Sequence, residues 1–205
     1  MKKVKFITLT ATALLSIGFL TACGNDSSDN GSSDTTEQTT EEASNGEVTA
    51  GATANPTTDF SDLEAALSAT GEHASWIGAI TADVDAAGET LTVEGHFEDP
   101  HGTNPARKLA LYSQDADHNV THRYTLTVEK LVVKSPGFFI SNGTIKGDVY
   151  VDADGFKGQT GDGVEGQATI DGNLYFATQA QLDAFKALDE ADTVKVTGHV
   201  EVGTP

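Results

Sequence analysis

Four short segments of this chain share one pattern: apolar, any residue, Gly, polar, apolar. They are Val93-Glu94-Gly95-His96-Phe97, Ile145-Lys146-Gly147-Asp148-Val149, Ile170-Asp171-Gly172-Asn173-Leu174 and Val196-Thr197-Gly198-His199-Val200. Their glycines leave gaps of 52, 25 and 26 residues. A spacing near 25 is the length of one coil of a solenoid. A single coil cannot bury its apolar face alone, but stacked coils bury it together. Val, Ile and Leu then point inward, and Gly takes the tight corners. The repeat predicts an all-β fold, a short parallel β-solenoid in which the first gap holds about two coils. An antiparallel β-sandwich is the alternative, since it also strings short strands between turns.

The residues around the repeat fit strands and two helices. Ile80, Ala82 and Val84 alternate with polar neighbours, as do Leu91 with Val93, Leu109 with Leu111 and Leu126 with Val128. Ala87-Gly88, Ser135-Pro136-Gly137 and Asn142-Gly143 supply turns between them. Ser61-Asp62-Leu63-Glu64 reads as a capping box opening a helix over 61–70, with Leu63, Ala66 and Leu67 on one face and Gly71 as its left-handed stop. A solenoid end offers unpaired strand edges, so this helix is expected to serve as an N-terminal cap. Thr178-Gln179-Ala180-Gln181 opens a second, inserted helix with a stripe of Leu182, Phe185 and Leu188. That helix is expected to pack on the flank or the end of the sheets.

The stretch Leu126 to Pro136, then Gly143 to Val151 and Ala168 to Phe176, resembles secreted bacterial proteins with polymer-forming, bactofilin-like β-helical repeats. The resemblance covers roughly Leu126 to Val202 and rests on glycines among alternating hydrophobes. It implies a right-handed β-helix able to associate end to end. The inserted helices and the uneven early coils depart from that pattern.

The amino end carries an address. Lys2, Lys3 and Lys5 precede an uncharged, mostly apolar run from Phe6 to Leu20. That run has the length of a signal-peptide core and is short for a membrane span. It closes on Leu20-Thr21-Ala22-Cys23, which resembles the lipobox of bacterial lipoprotein signals. The resemblance implies cleavage before Cys23 and a diacylglyceryl group on its sulfur. Two acyl chains are enough for stable anchoring. The expected organisation is a signal peptide over 1–22, a lipidated Cys23 with an acidic tether to residue 58, and a folded domain over 59–205. The tether has seven acids, no Lys or Arg and no Leu, Ile or Phe before Asp59. It cannot bury enough apolar surface to offset the entropy of ordering, and its charge extends it. Its maximal reach is about 120 Å. The expected location is extracytoplasmic, on the outer face of a bacterial membrane, with membrane lipid as the partner of Cys23.

Charge narrows the partners. The chain has 12 Lys and Arg against 31 Asp and Glu. From Asp59 onward, nine bases face 24 acids. Such a surface repels a phosphate backbone, so no nucleic-acid partner is expected. The lone Cys excludes an internal disulfide framework, a Cys-based zinc site and a CxxC redox pair.

Motifs that carry chemistry are sparse. Asp115, Asp117, His118 and His122 could converge on a metal, since residues four apart on a strand share a face. The same stretch fails as an EF-hand, with Val120 at its sixth position and Leu126 at its twelfth. Asp148 and Asp171 are candidate catalytic carboxylates of a carbohydrate-active β-helix enzyme. In register, Asp148 would face Asn173 instead of a second acid. Trp76, Tyr150 and Tyr175 are possible sugar-stacking rings, though such rings commonly pack half-buried. No GxSxG elbow or P-loop is present. Apart from the diacylglycerol on Cys23, no cofactor is expected. Three functions stay open: a structural or interaction module at the cell envelope that self-associates or binds an envelope component, a glycan- or cation-binding module, and a carbohydrate-active enzyme.

Overall fold

The computed structural model describes residues 55–98, 104–159 and 166–204. The signal peptide, Cys23 and the tether up to residue 54 lie outside these residues. Strand is the dominant element. The order is β1 (Asn55–Thr57), α1 (Phe60–Leu67), β2 (Ile77–Ile80), β3 (Val84–Val93), β4 (Arg107–Ala110), β5 (Tyr112–Gln114), β6 (Val120–Arg123), β7 (Thr125–Val133), β8 (Phe138–Ser141) and β9 (Thr144–Val151). It continues with β10 (Lys157–Gln159), β11 (Thr169–Asp171), β12 (Leu174–Phe176), α2 (Gln179–Lys186), a 3-10 turn (Glu190–Asp192), β13 (Lys195–Val196) and β14 (Val200–Val202). β1 lies within the stretch assigned to the tether, so ordered structure begins by Asn55. Its Pro56 sits on an edge strand, where a missing amide donor is tolerated.

The strands form two parallel sheets. One has the order β1-β2-β4-β8-β10. In the other, β3 pairs with β7 and β7 with β9; β9 pairs with β11 and β12, which pair in turn with β13 and β14. This parallel pairing rules out the antiparallel sandwich. From β2 to β11, the β5–β6 hairpin aside, the chain leaves one sheet for the other after each strand, whereas β11 to β14 all lie in the second sheet. A two-strand antiparallel hairpin, β5 with β6, projects between β4 and β7.

Register places like residues over like. Val84, Leu126, Ile145, Ile170 and Val196 form one rung line. Leu91, Leu131, Val149, Leu174 and Val200 form a second, and Val93, Val133, Val151, Phe176 and Val202 a third. All but the members from β13 and β14 share one core with Leu109 of β4 and with Phe138 and Ile140 of β8; Val196 and Val200 pack against it half-buried, and Val202 is exposed. Burial of each aliphatic chain is worth about 1.5–3 kcal/mol, which makes these lines the main source of stability.

Three of the four repeat glycines stack. A Cβ on Gly147 would collide with the carbonyl oxygen of Val128, one on Gly172 with that of Gly147, and one on Gly198 with that of Gly172. Only Gly lets successive strands approach so closely. Gly95 is not part of this stack. Its neighbour Val93 pairs with Val133, which pairs with Val151; it does not pair with Ile145. Gly95 instead turns the chain against Ala69 beyond α1. The gap of 52 therefore does not span two equal coils. It contains the β5–β6 hairpin and a corner of a different kind.

The helices differ in how well they follow their signals. α2 starts as expected: Thr178 Oγ1 accepts from the Gln181 amide, and Gln181 Oε1 accepts from the Thr178 amide. α1 buries Leu63, Ala66 and Leu67, but its cap lies two residues before the expected one. The Asp59 carboxylate, not Ser61, takes the cap position, accepting from the Ser61 amide at 2.8 Å. A carboxylate is the stronger acceptor there and also complements the helix dipole. The helix stops at Leu67, before Gly71, where Ser68 turns extended and donates to the Ala65 and Thr70 carbonyls.

Candidate functional site

The outer face of the second sheet holds the candidate carboxylates. Asp148 follows the Gly147 corner of β9, and Asp171 ends β11. Asp148 Oδ1 accepts from the Asn173 amide at 2.8 Å and from Asn173 Nδ2 at 3.0 Å. Asn173 Oδ1 accepts in turn from the His199 amide at 2.9 Å. These bonds form a polar ladder joining the corners at Gly147, Gly172 and Gly198. Asp171 accepts from Thr197 Oγ1 at 3.1 Å. The two acids thus sit on separate ladders, each bonded to the next strand, as the expected Asp148–Asn173 register implies. Tyr150 pairs in register with Tyr175 beside them, and both rings are half-buried.

The four residues suggested for a metal occupy the β5–β6 hairpin. Asp115 folds back on its own turn, accepting from the Asp117 and Asn119 amides and from Asn119 Nδ2. These donors, the Asn119 side chain first, hold the Asp115 carboxyl below its usual range. His118 has a φ of 65° in the turn, and its Nδ1 lies 3.1 Å from Gln114 Nε2. His122 stacks on Tyr124. The one-face argument for His118 and His122 fails because His118 is not in a strand. Among the described residues, no three His, Cys, Asp or Glu side chains gather closely enough to hold a metal.

Sequence patterns gave no warning of Arg107. It begins β4 at an inward position and is fully buried. Its guanidinium donates to the carbonyls of Ala66 at 2.8 Å, Ser68 at 3.0 Å and Glu94 at 3.1 Å. It lies 3.5 Å from the centre of the Phe97 ring. Burial pushes its pKa down to about 9, which leaves it charged at neutral pH. The cation meets the negative end of α1 and satisfies its last carbonyls. Its role is to fix α1 across the end of the core.

A cleft of about 620 Å³ opens between α2 and the turns around β8 and β10. Phe139, Phe156, Phe176, Phe185 and Leu188 line it, with Lys157 at its side. The rings of Phe156, Phe176 and Phe185 lie 5.3–6.0 Å apart, packed against one another. Small apolar molecules would fit, but no convergent set of polar groups selects one.

The two ends of the stack differ. α1 lies against β1, β2 and β3 and closes the first end. At the other end, β13 and β14 have a neighbour on one side only. Val133 and Val151 are 0% exposed, whereas Val202 on the same rung line is 42% exposed. Comparison with protein-family models, curated proteins and solved structures finds no match.

Proposed function

We propose that the chain is a lipid-anchored β-solenoid serving as a structural or interaction module at the cell envelope. From β2 to β11 the strands alternate between two parallel sheets, and the rung lines repeat at about one coil, which supports the solenoid. The Leu20-Thr21-Ala22-Cys23 signal supports the anchor and an extracytoplasmic location. The observation that carries the interaction role is the contrast between the ends. One is closed by α1, and the other presents strands β13 and β14 with a neighbour on one side only and the exposed Val202. Soluble proteins normally cover or blunt such edges.

The test is labelling with a radioactive fatty acid followed by cell fractionation. The wild-type chain is expected to carry the label and sediment with membranes. Cys23→Ala is expected to lose the label and to remain unprocessed. An unlabelled wild type, or label retained in Cys23→Ala, overturns the anchor.

A further inference from the structure

We propose that the cleft beside α2 binds a small aromatic carboxylate, its charge held at Lys157 and its ring on the phenylalanine walls. The inference stands apart from the lipid anchor and from the interaction role.

Charge marks the place. From Asp59 onward, 24 acids face nine bases, yet Lys108 and Lys157 form no ion pair among the described residues. Register sets them on either side of Phe139 of β8, with Lys108 on β4 and Lys157 on β10. Their ammonium groups lie 5.9 and 6.0 Å from the centre of the Phe139 ring. Lys108 Nζ also donates to the Tyr112 hydroxyl at 3.1 Å. Lys157 is exposed, so its three donors stay open to an incoming anion. Two cations gathered on one ring, in a surface rich in acids, select for negative charge.

The walls define the rest of the ligand. Lys157 and Phe139 line the cleft together with Phe156, Phe176 and Phe185. Its volume of about 620 Å³ lies within the range of small-molecule sites. Nothing polar converges inside, so the buried part of the ligand is apolar. Phe156 meets Phe176 edge-on and Phe185 at a tilt, a lining that takes a flat ring by its face or its edge. Among the described lining residues, Lys157 is the one base and Asp154 the one acid. The two form no ion pair, so the cation stays available. Asp154 is exposed and repels a carboxylate on its own side, which leaves the Lys157 side for the head group.

The full chain, purified in detergent and moved to nanodiscs of zwitterionic phosphatidylcholine, is tested by equilibrium dialysis. The probes are 2-naphthoate, 2-naphthylmethanol and 2-naphthylmethylammonium, each corrected for empty nanodiscs. The naphthoate is expected to bind about tenfold more tightly than the alcohol, and the ammonium more weakly than either. Acetate, which has the charge without the ring, is expected not to compete. Lys157→Gln is expected to weaken naphthoate about tenfold and to leave the alcohol unchanged. Lys108→Gln is expected to cost about threefold, because its ammonium acts from farther away. Ala184 of α2 is exposed and lines the cleft. Ala184→Trp is expected to fill the space and remove binding of naphthoate and alcohol alike, without lowering the melting temperature. A wild type that does not bind naphthoate, or that binds the ammonium as tightly, overturns the proposal. So does naphthoate affinity unchanged in Lys157→Gln or in Ala184→Trp.

Discussion

Arg107 stands where the alternation of its strand calls for an apolar side chain, and its three acceptors belong to residues 13 to 41 positions earlier. Arg107→Met would keep most of the volume but leave the Ala66, Ser68 and Glu94 carbonyls unsatisfied. The expected loss is about 3–5 kcal/mol, read as a lower urea midpoint. Arg107→Lys is expected to recover little, because an ammonium cannot reproduce the planar fork or its stacking on Phe97. No sequence pattern announces this residue, since its role depends on contacts far along the chain. Local signals were more legible. Leu63, Ala66 and Leu67 already mark the buried face of α1, and Thr178 with Gln181 marks the start of α2. The Asp148–Asn173 contact was legible because both residues follow glycines of the same repeat.

The helices show how neighbouring signals compete. Asp59 and Ser61 are both good caps, and the carboxylate wins. The Ser61 hydroxyl and amide, then the Asp62 amide, hold the Asp59 carboxyl below its usual value of 3.8. The stabilisation from a depressed carboxyl is complete above the unfolded value and is lost as pH falls through the folded one. Asp115 in the β5–β6 hairpin is lowered in the same direction. The melting temperature is therefore expected to fall as pH drops below about 4. In Asp59→Asn, which retains a capping side chain but cannot titrate in this range, that decline should be shallower. An equally steep decline would show that the acid transition has its source elsewhere. Lys134 behaves with the opposite sign. The Glu94 carboxylate raises its pKa, so its contribution is present below 10.5 and is lost as pH rises through the folded value.

Across the whole molecule, stability should follow position in the stack. β7 and β9 have neighbours on both sides, whereas β14 has one only. Amide hydrogen exchange is expected to be slowest in β7 and β9 and fastest, among the strands of that sheet, in β13 and β14. Equal protection throughout would contradict a stack built from nearest-neighbour contacts. The parallel class and the last three rungs were legible because spacings of 25 and 26 fit one coil of a stacked parallel fold, although they left the antiparallel sandwich open. The early register was not, because the hairpin and the Gly95 corner interrupt the repeat with glycines of a different function. Arg107 also has a consequence for the order of events at synthesis. A chain emerging amino end first presents α1 well before the residue that holds its carboxyl end; Ala66 and Arg107 are 41 positions apart. Until β4 follows, the helix can pack against β1, β2 and β3 but lacks its buried cation. The oldest part of the nascent chain must wait for a younger part to lock it. Docking of α1 is therefore expected to stay reversible until Arg107 arrives, and the closed end is complete only once β4 has joined it.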